Sequence, residues 1–330
     1  MDKPFEWFLN MPASQKQESS PAGVQTLARR AARSNVWLHQ TGTLAETQLG
    51  RLSQNQIVPE VLQTEEAVGR AMVMEIEEAA RSRTGDLVVV ILGGRGGQAM
   101  HRLLGDMART SAADHLLARL RIFTQDALAP LPMSNALSFV RDFERLLGDD
   151  FFRKVKSFTP MRTDVDDLEG ALSRYVDELL ALGGIDICFL GLGPEANSAS
   201  HLAYIKPGSG AAAGDFAGII PISSSILEHH IAKFKAGGST VNASDEAECR
   251  AATHILTLGP VAILRARRVV QSIVDAGTAP AKRDCYHQVL EARVSDHPAE
   301  RASQLDRNPG LWLRLHPNVR SLVLPDVLGS

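Results

Sequence analysis

An uninterrupted apolar segment followed by a cluster of glycines most constrains how this chain can fold. Leu87–Leu92 reads Leu-Val-Val-Val-Ile-Leu, and Gly93–Gly97 follows it with four glycines around Arg95. Such an apolar run is typical of a strand that is buried on both faces of a parallel sheet. The spacing of apolar residues after the glycines predicts a helix from about Gln98. Strand, glycine turn and helix in this order indicate an α/β fold.

The same alternation of strand and helix patterns repeats along the chain. Helices are predicted for Thr64 to about Arg83, through Phe139 and Phe143, and for Asp166–Leu182. Further strands are predicted at Leu120–Phe123, Ile185–Leu190, Gly218–Ile222, Val269–Val274 and Val319–Leu324. We therefore predict an α/β fold with a doubly wound, Rossmann-like, mostly parallel sheet and helices on both faces. Ligands bind at the carboxyl ends of strands in such sheets, so the loops after Leu92, Phe123 and Leu190 are the candidate site.

Residues 1–56 are predicted to be an N-terminal extension that precedes an α/β domain of residues 57–330. Residues 14–21 are polar and without periodicity, which is typical of a loose segment. A basic helical stretch with Arg29, Arg30 and Arg33 is predicted next. We expect the extension to pack on the main body or on a second subunit of a homo-oligomer. Three arginines are too few to favour a nucleic-acid-binding arm.

Charge, cysteine content and hydropathy argue against several classes of protein. The 35 Lys and Arg against 38 Asp and Glu give a net charge of -3, so no global basic field would attract nucleic acid or an anionic membrane. Cys188, Cys249 and Cys285 are far apart and odd in number, which fits neither a disulfide framework nor a CxxC metal site. No apolar run reaches the ~20 residues of a membrane span, and the N-terminus lacks the order of a signal peptide. We expect a cytoplasmic protein with neither nucleic acid nor membrane as partner.

The glycine loop Gly93–Gly97 is predicted to bind an anion. Glycines let backbone N–H groups approach a phosphate closely, and the N-terminus of the following helix adds partial positive charge. Two alternatives stay open: a purely structural turn, and a dinucleotide site, because Gly94–Ala99 also fits GxGxxA. The acidic residue that would follow, Asp114, does not lie at the end of a predicted strand, and the P-loop pattern is absent from this loop.

Ionisable side chains follow the other two strands. Asp126 lies in a predicted loop from Thr124 to Pro132, where a carboxylate could serve as a general base. The loop after Leu190 carries a second polar set: Glu195, Asn197, His201 and Lys206. A histidine beside a carboxylate can transfer protons near neutral pH. Solvated loop side chains and local caps are the alternative for both sets.

Signature motifs of nucleophilic and metal chemistry are absent. The sequence holds no Gly-x-Ser-x-Gly elbow and no HExxH. His229 and His230, followed by Lys233, are adjacent, and adjacent side chains on a helix point apart. We therefore predict no metal and no other cofactor, with a nicotinamide at the glycine loop as the weakest alternative.

In combination, these segments resemble the glucosamine-6-phosphate deaminase/isomerase and 6-phosphogluconolactonase superfamily, over residues 57–324. Val88–Leu104 is similar to the family's strand, glycine phosphate loop and helix. Asp126 matches the aspartate that serves as base in the deaminases, and Ala127 replaces the Glu that follows it there. Leu313–Val319 is similar to the family's LQLHPNV.

The loop after Leu190 also resembles the family, but it differs from the family's motif in several places. Gly191–Gly193 and His201–Ser209 are similar to GIGxDGHIAFNEPGS, with about four extra residues between them. Lys206 stands where deaminases carry the ring-opening Glu. Glu195 is a candidate for the motif's Asp, although an ungapped alignment puts Asn197 at the place of its His. Gly277 with Lys282 loosely resembles the family's Gly-x-x-Lys phosphate ligand.

The resemblance implies a Rossmann-like sheet, a sugar-phosphate ligand and chemistry without a metal. The phosphate would lie on Gly93, Gly94, Arg95, Gly96 and Gly97 with Lys282. Asp126 would move the proton between C1 and C2, and His201, helped by Glu195, would assist ring opening. An ammonium has only donors, so Lys206 could not orient a histidine by accepting its N–H and would bind a further anion.

The function implied is a sugar-phosphate aldose–ketose isomerase or a deaminase-type enzyme of carbohydrate metabolism with a diverged site. One alternative is a non-catalytic phosphosugar-binding protein or sensor, because the second and third loops both lack the family's Glu. Another is a hydrolase similar to 6-phosphogluconolactonase, which would need a histidine to activate water where the ungapped alignment has Asn197.

Overall fold

The computed structural model describes residues 27–32, 35–40, 54–194, 199–277 and 279–329. The strands are β1 (Leu27–Ala32), β2 (Asn35–Gln40), β3 (Pro59–Val61), β4 (Leu87–Ile91), β5 (Leu120–Thr124), β6 (Asp126–Ala129), β7 (Ser157–Thr159), β8 (Ile187–Leu190), β9 (Gly193–Pro194), β10 (Ser200–His201), β11 (Asp215–Pro221), β12 (His254–Leu258), β13 (Arg268–Ile273) and β14 (Val319–Val323). The α-helices are α1 (Glu65–Ser82), α2 (Arg95–Ala108), α3 (Asp114–Leu117), α4 (Phe139–Lys154), α5 (Leu168–Ala181), α6 (Ser224–Ala236), α7 (Ala243–Arg250), α8 (Pro260–Leu264), α9 (Ala281–Glu291) and α10 (Pro298–Arg307). Pro309–Leu315 and Pro325–Val327 are 3-10 helices.

A seven-stranded parallel sheet in the order β3-β14-β13-β8-β4-β5-β7 organises the molecule. From β4 the chain adds β5 and β7 on one side, and then β8, β13 and β14 on the other. Because parallel crossovers are right-handed, this reversal puts helices on opposite faces of the sheet. The predicted α/β fold with a mostly parallel sheet is confirmed. The order reverses between β4 and β8, which is where such sheets bind ligands.

The local signals at the start of this sheet act as predicted. Thr64 caps α1, since its side chain accepts a hydrogen bond from the backbone N–H of Ala67 at 3.1 Å. Leu87–Ile91 is buried along its whole length, as its unbroken apolar sequence requires. Helix α2 begins at Arg95 and not at Gln98, so the glycine loop contributes the first turn of the helix.

A second, antiparallel sheet in the order β1-β2-β11-β12-β6 was not predicted. The basic helix expected around Arg29 and Arg30 is wrong, because those residues form the hairpin β1–β2, and Arg33 lies outside the described residues. Trp37 of β2 is fully buried. Its ring lies where a side chain at Gly218 would have to be, 2.5 Å from an ideal Cβ. Hydrogen bonding of β2 to β1 on one side and to β11 on the other holds these residues in the extended backbone, and no local pattern in the sequence indicates that pairing.

The predicted loop from Thr124 to Pro132 is also corrected. Strand β6 occupies its middle and pairs antiparallel with β12, with Asp126 opposite Thr257. Gln125 alone separates β5 from β6, so the chain passes directly from one sheet to the other. Four buried residues are too short a segment to show a strand period, which is why the sequence pattern missed it.

In the described part of the chain, no helix has both the length and the apolar character to cross a membrane. No group of three or more His, Cys, Asp or Glu is arranged there to hold a metal ion. Cys188, Cys249 and Cys285 are all buried, and none of the three forms a disulfide.

Candidate active site

A cleft opens at the carboxyl ends of the parallel strands, where their order reverses. Its enclosed volume is about 40 Å³, and the space reaches about 500 Å³ only when the open solvent at its mouth is included. Gly93 enters it after β4, Asp126 after β5, Gly191 after β8 and Asp275 after β13. His201 and Lys282 line the same cleft. Loops that are far apart in sequence meet here because parallel strands end at one edge of the sheet.

Asp126 is the most unusual ionisable group in the cleft. Its side chain is 3% exposed, and its Oδ2 accepts a hydrogen bond from Nε2 of Gln125 at 2.6 Å. Its Oδ1 is buried and has no hydrogen-bond partner among the described residues. Burial raises the pKa of Asp126 to about 7, and the nearby Lys233 ammonium opposes that rise. A carboxyl group that changes protonation near neutral pH can both take and return a proton.

The glycine loop is held by close packing. An ideal Cβ on Gly93 would lie 1.9 Å from Cδ1 of Phe139, and one on Gly97 would lie 2.6 Å from Cε1 of His101. Gly94 has φ 74° and ψ -167°, a conformation that is open essentially to glycine alone. Packing and backbone geometry thus account for these glycines, in line with the structural-turn alternative. Gly96, in the first turn of α2, lines the cleft, so this helix N-terminus also faces it.

The predicted phosphate-binding residues divide between the cleft and its surroundings. Gly93, Arg95 and Gly96 line the cleft, whereas Gly94 and Gly97 do not. The Arg95 guanidinium pairs with Glu65, at 2.7 Å between Nη2 and Oε1. The first turn of the helix is therefore available to an anion, while the charge of its arginine is already paired.

Lys282 lies in the cleft as predicted, but a carboxylate holds it. Its Nζ is 2.6 and 2.7 Å from the two carboxylate oxygens of Asp275, and both residues are buried. Burial alone would raise the pKa of Asp275, but the Lys282 ammonium outweighs it and the pKa lies below its usual value. An anion that binds to Lys282 would therefore also lie close to the Asp275 carboxylate.

His201 faces the cleft as a neutral imidazole. It is 6% exposed, and its Nε2 has no hydrogen-bond partner among the described residues. The His201 ring packs on Gly193, because an ideal Cβ on that glycine would lie 1.6 Å from Nε2. The centroid of the His201 ring is 5.0 Å from the centroid of the Tyr204 ring. Burial, and secondarily the charge of Lys233, lowers the pKa of His201 well below its usual value.

Other predicted residues lie elsewhere. Lys206 follows the turn after Ile205, is half-buried and does not line the cleft. It follows a tight turn that the bridge between Leu202 and Ile205 closes, and its role as an anion ligand stays a prediction. Glu195 and Asn197 lie outside the described residues. Asp114, the candidate for a dinucleotide site, begins α3 and pairs with Lys154 at 2.6 Å.

Sequence analysis missed a cation next to the glycine loop, Lys233 of α6. Its Cε lies 3.1 Å from an ideal Cβ on Gly94, and its Nζ donates to the hydroxyl of Tyr204 at 2.9 Å. Burial lowers the pKa of Lys233 to about 8, and Asp126 opposes that fall. In the sequence, the only indication of a role for Lys233 was its place in a polar cluster with His229 and His230, and that cluster suggested nothing beyond a metal site.

Comparisons with known proteins agree with this architecture. No family model matches the sequence, and no curated protein matches it. Among solved structures, a monomeric glucosamine-6-phosphate deaminase is 19% identical, with a TM-score of 0.62 over 83% of this chain and 99% of that chain. The 6-phosphogluconolactonase from Trypanosoma brucei is 18% identical, with a TM-score of 0.58 over 83% of this chain and 98% of that chain. The enzyme from Trypanosoma cruzi is 16% identical, with a TM-score of 0.57 over 84% and 97%. The chain therefore has the fold that glucosamine-6-phosphate deaminase and 6-phosphogluconolactonase structures share.

Proposed function

We propose that this chain is a metal-independent enzyme that isomerises or deaminates a sugar phosphate, with Asp126 as its proton-transfer group. The observation that carries the proposal is the buried Asp126 carboxyl, which has one unpartnered oxygen in a cleft that also holds two lysines. The fold shared with a glucosamine-6-phosphate deaminase supports the choice of substrate class.

The phosphoryl group would bind between the first turn of α2 and the two lysines. Backbone N–H groups at the start of a helix have no partner within the helix and carry partial positive charge. Gly96 leaves that turn without a side chain on the cleft side. Lys233 and Lys282 would add the charge that a phosphate needs.

Asp126 would then act on the carbon atoms next to the carbonyl of the open-chain sugar. Its carboxylate would take a proton from the carbon next to the carbonyl, which gives an enediolate, and would return that proton to the former carbonyl carbon. The proton of the adjacent hydroxyl would pass to the former carbonyl oxygen, so that the carbonyl moves by one carbon. A base that titrates near neutral pH is effective in both steps. His201, as a neutral imidazole with an unpartnered Nε2, would move the proton that ring opening requires.

Lactone hydrolysis is the second candidate, and a specific observation favours it. The neutral His201 imidazole faces the cleft and can accept a proton from a water molecule that attacks a lactone carbonyl. The sequence pattern suggested that this histidine was lost at Asn197, but His201 supplies one. The similar solved structures include several 6-phosphogluconolactonases.

A substrate panel separates the candidates. Phosphorylated aldoses, ketoses, amino sugars and a phosphogluconolactone are incubated with the full chain, and isomer, ammonia and acid are measured. Isomer or ammonia formation that falls at least about 100-fold in Asp126→Asn supports the proposal. Asp106→Asn, at an exposed position on α2, is the matched control. Acid formation that depends on His201 would favour hydrolysis. Ligand-dependent thermal stabilisation without any turnover would establish the sensor and overturn the enzyme.

A further inference from the structure

A directed chain of hydrogen bonds lies behind Lys233. Its Nζ is 2.9 Å from the hydroxyl of Tyr204, which is 3.0 Å from Nδ1 of His230. Nε2 of His230 lies 2.7 Å from the backbone carbonyl of Leu137. Tyr204 and His230 are both buried, and neither side chain matches a residue that the resemblance assigns to the reaction.

The last acceptor in the series, the backbone carbonyl of Leu137, fixes the direction of these hydrogen bonds. The carbonyl of Leu137 can only accept, so Nε2 of His230 carries the hydrogen and Nδ1 is an acceptor. Burial lowers the pKa of His230 well below its usual value and raises that of Tyr204, so the ring is neutral and the phenol keeps its proton. Tyr204 must therefore donate to His230, which turns its oxygen lone pairs toward Lys233.

The backbone that presents Tyr204 is strained. Ala203 and Tyr204 have φ of 46° and 59°, in the left-handed region that is unfavourable for residues with a side chain. Backbone hydrogen bonds between Leu202 and Ile205, at 3.1 and 2.7 Å, close this turn. Strain of this kind persists where the surrounding structure over-determines it, and it clusters at functional sites.

Lys233 lies among charges of both signs, so its position depends on the groups that hold it. The carboxylates of Asp126, Asp275 and Asp142 act on its charge, and so does the ammonium of Lys282. A lysine side chain has four rotatable bonds and a compact charge, so it readily pairs with any of these carboxylates. The rings of Phe139 and Tyr204, each 5.1 Å from Nζ, leave the ammonium next to the glycine loop.

We propose that Tyr204 and His230 are positioning residues that act through Lys233, holding its ammonium over the glycine loop so that it meets the anionic group of a ligand. This inference rests on the proposed function only for the identity of that group, a phosphoryl group. Tyr204 accepts one N–H of the ammonium, and His230 keeps the tyrosine lone pairs turned toward it. The remaining N–H groups stay available to the ligand.

A double-mutant cycle on the binding of inorganic phosphate tests the inference. Dissociation constants are measured by calorimetry for the wild type, Tyr204→Phe, Lys233→Met and the double variant. We expect Tyr204→Phe to weaken binding about fivefold, since one hydrogen bond is lost, and Lys233→Met about tenfold or more. In the Lys233→Met background, Tyr204→Phe should then have no further effect, because the group it acts through is gone.

Three further variants separate positioning from general structural damage. Tyr286→Phe removes another buried tyrosine hydroxyl, which contacts Ser321 at 2.7 Å, and should leave phosphate affinity unchanged. His230→Phe should weaken binding as Tyr204→Phe does, and His230→Gln, which keeps a donor and an acceptor, should restore part of it.

Each outcome decides one of the two proposals. Additive effects in the cycle, or a wild type that binds no phosphate, would overturn the positioning role of Tyr204 and His230. Turnover of a sugar phosphate together with additive effects would leave the proposed function standing without it. Full coupling without turnover of any sugar phosphate would retain the positioning role and overturn the proposed enzyme.

Discussion

At the scale of single residues, burial makes the charged form of Asp126 unfavourable in the folded protein. Burial raises the pKa of Asp126 to about 7, while its ordinary value is 3.8. Between these two pH values the folded state binds the proton and the unfolded state has lost it. Folding stability therefore falls as pH rises through this window, and the loss is complete above the folded pKa.

Asp126→Asn should remove this pH dependence. An amide has no charge to bury, so the variant should melt higher than the wild type at pH 8.5, by about 2 °C or more, and the difference should shrink toward pH 4. Thermal unfolding across this pH range measures the effect, with Asp106→Asn as an exposed control. Equal melting temperatures for the Asp126 variant and the wild type at pH 8.5 would show that the carboxylate is well solvated.

Asp275 sets how much positive charge the cleft presents. Its carboxylate takes both short contacts with Lys282, so it competes with any anion for that ammonium. Asp275→Asn should strengthen phosphate binding about fivefold, because it removes a like charge next to the anion and keeps a hydrogen-bonding amide. Calorimetry with inorganic phosphate measures the change. Weaker binding would mean that Asp275 mainly orients Lys282.

At the scale of elements, the start of α2 places a backbone conformation that requires glycine next to the candidate phosphate site. Gly94 has φ 74°, and an ideal Cβ on it would lie 3.1 Å from Cε of Lys233, whereas Gly85, before β4, has φ 86° with nothing within 4 Å of an ideal Cβ. Alanine at either position should cost at least about 1 kcal/mol of folding stability. Gly94→Ala should also displace Lys233 and weaken phosphate binding severalfold, while Gly85→Ala should not.

Urea unfolding and phosphate titration of both glycine variants measure these effects. Equal losses of stability with a loss of affinity in Gly94→Ala alone would separate the backbone requirement from the ligand site. An unchanged affinity in Gly94→Ala would place the anion elsewhere in the cleft.

At the scale of the whole molecule, two sheets share one core and the N-terminal hairpin completes the second. Trp37 is fully buried, and Arg30 of the same hairpin is paired with the buried Asp215. Strand β1 is the edge of this sheet. We keep the pairing of a second copy along that edge as a proposal for the oligomer, which sedimentation of the full chain would test.

Trp37→Ala should destabilise the whole protein. The loss of a buried tryptophan leaves a cavity between β2 and β11 and should cost about 3–5 kcal/mol. Urea unfolding measures the loss, and Val58→Ala, whose side chain is 73% exposed, is the control. A loss no larger than that of Val58→Ala would mean that the hairpin contributes little to the folded state.

The parallel sheet and half of the cleft could be predicted from the chain because their signals are local. Leu87–Ile91 is apolar without a break, Gly93–Gly97 follows it directly, and Asp126 and His201 come soon after strands of the same sheet. The carboxyl ends of parallel strands share one edge, so strand positions alone indicate which loops meet. Of these residues, Gly93, Gly96, Asp126 and His201 line one cleft in the structure.

The antiparallel sheet, the Lys282–Asp275 pair and the chain from Lys233 to Leu137 arise only from tertiary contacts. The Tyr204 hydroxyl meets His230 from 26 positions away, and His230 reaches Leu137 across 93. No local period encodes such contacts, because they depend on how whole elements pack. The sequence alone thus indicated where a candidate site can form, while folding decided which cations line that cleft and which carboxylates pair with them.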